Sequence, residues 1–151
     1  MGMDVYGRDA KSKTGEYFRR NVWGWRPLAD MVTVLFPAET AACTYWHSND
    51  ADGLDAAGSE ALAAAIEAAI ADGRIEAYIK ERDERIAALP LEPCQTCGGK
   101  GTRLWPDGEK PCNGCHGEKK VKARDTWYRL DLDDAKEFAA FLKDCGGFEI
   151  C

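Results

Sequence analysis

Apolar positions recur at helical spacing in four separate stretches of the chain. Leu28, Met31, Val32 and Leu35 fall at i, i+3, i+4 and i+7, which predicts an amphipathic helix with Pro27 in its first turn and a stop near Pro37. Leu62, Ile66, Ala69 and Ile70 form a second stripe among alanines, with Ser59 as the expected N-cap and Gly73 as the stop. Ile75, Tyr78, Ile79, Ile86 and Leu89 form a third, leaving Lys80, Glu81, Arg82, Asp83, Glu84 and Arg85 for a solvated face. Pro90 and Pro93 end that helix. Phe138, Phe141, Leu142 and Cys145 form the last stripe, behind a cap at Asp133 or Asp134 and ahead of Gly146–Gly147.

Strand-like runs lie around these helices. Met3–Tyr6 reads as a first strand ended by Gly7. Lys119–Leu132 reads as extended, because Trp127, Arg129 and Asp131 alternate with Tyr128, Leu130 and Leu132; it is expected to join the main sheet beside Met3–Tyr6. Phe148–Cys151 reads as a short strand or docked tail. Thr102–Trp105, a Pro106-Asp107-Gly108 turn and a return read as a hairpin. The stretch Glu16–Pro27 is dense in aromatics and arginines. Tyr17, Phe18, Trp23 and Trp25 are either core anchors with arginines lying over them or a stacking surface for bases or a partner.

Helices and strands in separate runs give an α+β fold class. The expected architecture is a small mixed helix/sheet body of residues 1–90 and 125–151, with an inserted arm at 91–124. A chain of 151 residues with 45% hydrophobic content can bury one core. Its net charge of −6 is unevenly spread. From Cys94 to Arg129 eight basic residues face four acidic ones, so that segment is +4 and the remainder −10. An acidic body repels phosphate and so opposes non-specific coating of DNA, and leaves the arm as the stretch with a field suited to nucleic acid.

The arm carries the strongest chemical signal. Cys94 and Cys97 form one C-x-x-C pair, and Cys112 and Cys115 another, with 14 residues between them. Two cysteines three apart can aim both sulfurs at one ion from a tight turn, and four thiolates complete a tetrahedral shell. The expectation is one structural Zn²⁺ in a zinc ribbon, with no position open for catalysis. Seven cysteines, four of them in a metal pattern, fit a reducing compartment. The polar N-terminus lacks an apolar leader core, and no run is long enough to span a membrane; a cytoplasmic location is expected.

A second candidate is the loop Cys43–Leu54, which holds His47, Asn49, Asp50 and Asp52. Read as a calcium loop around Gly53 it would put Ser59 where the bidentate glutamate belongs, so that reading fails. An Asx-rich turn and a small-ligand or nucleotide pocket, with a helix N-terminus near Ser59, remain the alternatives. In the arm, Lys119, Lys120, Lys122 and Arg124 with Trp105 are candidates for nucleic-acid or partner binding. Cys43, Cys145 and Cys151 read as free thiols.

Cys94-Gln-Thr-Cys97-Gly-Gly-Lys-Gly101 resembles the C-x-x-C-x-G-x-G motif of the zinc-finger domain of DnaJ-type co-chaperones. Cys112-Asn-Gly-Cys115-His-Gly-Glu-Lys119 resembles it too, with Lys119 in place of the last glycine. The resemblance covers about 26 residues and two of the family's four motifs, and implies one zinc rather than two. The His-Pro-Asp tripeptide of the J domain does not occur in the chain, so a zinc ribbon presenting a surface to protein or nucleic acid is what the resemblance implies. Met1–Gly7, Gly15–Arg19, Asn21–Trp23 with Trp25–Leu28, and Gly146–Ile150 resemble a family of small proteins encoded by bacteriophages and prophages. That likeness implies an accessory protein that binds host machinery, defence systems included.

The expected function is therefore a non-enzymatic zinc-binding accessory protein that engages a host protein or complex and could inhibit a process such as antiphage defence. The alternatives are a nucleic-acid binder using the basic arm and a small-ligand binder at residues 47–59.

Overall fold

The computed structural model describes residues 2–151. Its elements run, in order, β1 (Gly2–Gly7), α1 (Lys13–Glu16), β2 (Tyr17–Asn21), α2 (Val22–Leu35), α3 (Pro37–Thr40), α4 (Ala56–Ala71), α5 (Arg74–Ala87), β3 (Glu92–Pro93), β4 (Thr102–Trp105), β5 (Gly108–Pro111), β6 (Lys120–Val121), a 3₁₀ turn (Arg124–Trp127), α6 (Leu132–Asp144) and β7 (Phe148–Ile150). The fold is α+β, in two compact units: a body up to Arg82 that resumes at Tyr128–Cys151, and an arm of Asp83–Trp127. The sequence pattern had placed the arm at 91–124. Among the described residues no helix is long and apolar enough to cross a membrane.

In the body, β1 is the central strand of an antiparallel sheet ordered β2-β1-β7. Tyr6 lies opposite Tyr17 and Met3 opposite Arg20 on one side, and Val5 lies opposite Ile150 on the other. Strand alternation sends Met3, Val5, Phe18, Phe148 and Ile150 inward, all of them buried. On the other face Tyr6 and Tyr17 remain exposed with their rings 5.1 Å apart. The inward residues meet α2, α4 and α6 in one core that buries Trp25, Leu28, Met31, Leu62, Ile66, Phe138, Phe141 and Leu142. Trp25 Nε1 donates to the Trp46 carbonyl at 2.6 Å, so its polar end is satisfied inside that core. The glycines of these segments allow backbone contact where they meet. A Cβ on Gly15 would lie 2.2 Å from the Asp144 carbonyl oxygen, and one on Gly7 would lie 2.0 Å from that of Gly15.

Several expectations need correction. Lys119–Leu132 is not a strand of the main sheet. Its one strand is Lys120–Val121, which pairs with Glu92–Pro93 in the arm. The partner of β1 is instead Tyr17–Asn21, read in sequence as an aromatic-rich segment without assigned structure. A nearby antiparallel strand closes a far shorter loop than a return from residue 127. The helix around Leu28 starts at Val22, where Asn21 Oδ1 accepts the Gly24 N–H at 3.0 Å, so Pro27 lies inside it. Proline cannot donate to the carbonyl four residues back. That carbonyl, on Trp23, accepts the Arg129 N–H at 3.3 Å instead.

The other caps also move. α4 begins at Ala56 with Asp55 as N-cap, its Oδ1 accepting from Gly58 N at 2.7 Å, and Ser59 is buried within the helix. Asp131, rather than Asp133 or Asp134, caps α6 in a reciprocal box with Asp134. Arg82 is buried, not solvated, and donates to the Tyr128 carbonyl at 2.7 Å. Leu89 is exposed. Of the aromatic stretch, Phe18 and Trp25 are core, Trp23 is half-buried against Tyr128 at 4.8 Å, and Tyr17 is exposed.

Candidate metal centre

The arm has almost no apolar core. Its buried residues of hydrophobic type are Cys94, Cys97, Cys112, Cys115 and Ala123, with Val121 packed beside the cysteines. The four sulfurs lie within 4.8 Å of one another, and among the described residues no other set of His, Cys, Asp or Glu gathers this way. Cys94 Sγ is 3.9 Å from Cys112 Sγ, and Cys97 Sγ is 3.8 Å from Cys115 Sγ. A tetrahedron with metal–sulfur bonds of about 2.3 Å has edges of about 3.8 Å. The spacing therefore fits a single metal ion.

The centre is built from one backbone unit used twice, offset by 18 residues. Each unit is preceded by proline, Pro93 or Pro111. Pro93 sits opposite Lys120 in the β3–β6 pair, and Pro111 sits opposite Thr102 in β4–β5. The first cysteine of each unit donates its N–H to the last residue of the other: Cys94 N to Lys119 O at 2.8 Å, and Cys112 N to Gly101 O at 2.8 Å. Each unit enters the left-handed region at matched positions, with φ of 60°, 77° and 85° at Gly98, Gly99 and Gly101, and of 52°, 91° and 65° at His116, Gly117 and Lys119. At Gly101 a side chain meets an obstacle besides the positive φ: a Cβ would lie 2.9 Å from the Gly117 carbonyl oxygen.

These turns aim backbone N–H groups at sulfur. Gly101 N reaches Cys97 Sγ and Gly114 N reaches Cys112 Sγ, each at 3.3 Å. The Gly101 N–H is the main reason that the Cys97 thiol falls to about 6. Burial pushes Cys115 the other way, to about 11, against N–H groups from Gly117 and Lys119. Two unit charges about 4 Å apart repel by about 4 kcal/mol at an effective dielectric of 20. Four thiolates in this volume need a cation, which the donor set and spacing suit.

The other candidate residues lie elsewhere in the fold. Trp105 is on β4, with Arg103 stacked over its ring at 5.6 Å. Lys119 ends the second unit, Lys120 is on β6, Lys122 follows it and Arg124 opens the 3₁₀ turn; all four side chains are on the surface. In the body loop, His47 Nε2 meets Asp30 Oδ1 at 2.9 Å, and Ser48 donates to Asp50 at 2.5 Å. Asn49 is exposed. The Asp52 carboxylate accepts N–H groups from Tyr45 at 2.8 Å, Thr44 at 2.6 Å and Gly53 at 2.9 Å, which lowers its pKa. Its backbone meanwhile pairs with Ile150 on the edge of β7. Burial, then Asp52, pushes the Cys43 thiol up to about 12. His47 and Asp52 thus serve different contacts, and Asp52 acts as the clasp of its turn. The repeat of the motif was legible in the sequence; what the sequence reading missed is that the proline ahead of each pair belongs to it and that the two units pair reciprocally, Cys94 N with Lys119 O and Cys112 N with Gly101 O.

The fold and site together define an α+β protein whose arm gathers four buried cysteines that could hold a metal ion. No known protein-family model, curated protein or solved structure matches the chain.

Proposed function

We propose that this is a non-enzymatic binding protein whose arm folds around one structural Zn²⁺ and whose acidic body docks a basic, nucleic-acid-handling host protein. Cys94, Cys97, Cys112 and Cys115 would hold the ion. Bound there, zinc supplies a four-thiolate cross-link and leaves no coordination position for a substrate. The knuckles are then half of a DnaJ-type finger, and the chain is a phage-type accessory protein acting in the host cytoplasm, with defence machinery among its targets. Two groups of the second candidate loop fit the non-enzymatic reading: the Cys43 thiol is held up to about 12, and the Asp52 carboxylate is occupied by backbone amides.

The observation that carries this reading is the charge split between the units. The body has nineteen acidic and twelve basic side chains, net −7, against seven and eight in the arm, net +1. A field of that sign favours encounter with a basic surface. The test is capture from host lysate on the immobilised, zinc-loaded chain, followed by identification. A basic nucleic-acid-handling protein, enriched over a charge-matched control and released as salt rises, supports the reading. No such enrichment, or capture of acidic proteins alone, contradicts it.

A further inference from the structure

The two halves of the metal centre share a backbone and differ in side chains, and the difference is one-sided. Where the first unit has Gly98 and Gly101, the second has His116 and Lys119 in the same left-handed conformation. That region is strained for a residue with a side chain. The first unit shows that glycine meets the geometry, so the metal does not require an imidazole or an amine there. Both side chains are exposed. The Lys119 stem crosses the first unit, since a Cβ on Gly101 would meet its Cγ at 2.9 Å and its Cε at 3.5 Å.

The adjoining hairpin repeats the pattern. Arg103 and Lys110 stand directly opposite each other across β4–β5, and strand alternation puts Trp105 on the same face. Like charges in opposed positions destabilise a hairpin. Lys110 pairs with Asp107 at the turn, while Glu109 points to the other face and accepts from Thr102. Arg103 spans from the Trp105 ring to Asn113 Oδ1 at 3.2 Å, which joins this face to the second unit.

We propose that His116, Lys119, Arg103, Lys110 and Trp105 form a binding site for single-stranded nucleic acid. Arg103, Lys110 and Lys119 contact phosphates, His116 lies beside them as a hydrogen-bonding group, and an unpaired base stacks on the indole, a combination that a duplex cannot use because its base faces are covered. The site lies wholly within the arm, so its failure would leave the docking role proposed for the body standing.

The experiment is fluorescence anisotropy of a labelled 15-nucleotide single strand with the zinc-loaded full chain, against the matched duplex and a polyglutamate competitor. Preference for the single strand is expected, with a log–log salt slope of about −2 to −3 for three or four phosphate contacts. Trp105→Ala should weaken binding about tenfold. Lys119→Gly should weaken it several-fold and make the slope about 0.7 shallower, while zinc stoichiometry holds and thermal stability rises. Arg103→Gln and Lys110→Gln, outside the knuckles, should weaken it similarly without disturbing the metal. Unaltered binding in these last two variants would overturn the proposal. So would displacement by polyglutamate as effective as that by unlabelled strand, which would mark the site as one for acidic protein.

Discussion

The body and the arm are held together by different physics. The body buries Trp25, Phe138, Phe141, Phe148 and a shell of leucines, isoleucines and methionines in one cluster. The arm buries four cysteines and Ala123, and leaves Leu104 86% exposed. Apolar burial contributes roughly 1.5–3 kcal/mol per large side chain, so the body has an ordinary source of stability and the arm has almost none. An isolated hairpin is marginal in water, and the arm contains two short strand pairs. Zinc bound at the four cysteines would supply the order that burial does not. The lesson is that one chain can use hydrophobic collapse where it needs a rigid body and coordination where it needs an exposed, polar surface.

The comparison can be broken most severely at the cysteines. Cys97→Ser, or removal of zinc by a strong chelator, should cost the arm on the order of 10 kcal/mol of apparent folding free energy. Limited proteolysis should then cut within 94–121, while the far-ultraviolet signal of the body helices persists. The converse cut is Phe138→Ala. It should cost the body about 3–5 kcal/mol, read as a lower denaturant midpoint, with zinc stoichiometry unchanged in the folded fraction.

Smaller changes sharpen the contrast within the arm. Gly101→Ala puts a Cβ against the Gly117 carbonyl at a positive φ, and should cost about 1–3 kcal/mol; competition with a chromophoric chelator should show faster zinc loss. Lys119→Gly, at the matched position, should stabilise the arm by up to about 1 kcal/mol. In the body, Asp131→Ala removes the α6 cap and should cost about 1 kcal/mol. Asp52 gives a pH signature. Its folded pKa is depressed, chiefly by the Tyr45 N–H, so its contribution is present above the usual carboxylate range and lost as pH falls through the lowered value. Acid titration of Asp52→Asn should lack that part of the loss.

Much of this was legible in the sequence. The stripes of α2, α4 and α6 were readable because burial on one face imposes a 3.6-residue period, and Leu28, Leu62 and Phe138 are indeed buried. The four cysteines were readable because metal coordination fixes local spacing, and the structure gathers them into one cluster. The β4–β5 hairpin was readable because its turn is local, but strand pairing in the body was not. Nothing local says that β1 pairs with Tyr17–Asn21, since alternation at Trp127–Leu132 is an equally good pattern and tertiary contacts decide between them. The buried Arg82 was missed because its partner, the Tyr128 carbonyl, is 46 residues away. The helix around Pro27 was misplaced because the compensating donor to Trp23, the Arg129 N–H, is likewise remote. Lys119 was legible as a departure from the motif, but that it and His116 hold the left-handed conformation of Gly101 and Gly98 appears only in the backbone angles.

The central claim is that metal alone holds the arm while burial holds the body. Amide hydrogen exchange followed by mass spectrometry, on the zinc-loaded chain with and without chelator, tests it most directly. The account requires protection across 94–121 to disappear on chelation while β1, β2, α4 and α6 keep theirs. Protection of 94–121 that survives without metal, or a body that loses protection together with the arm, would contradict it.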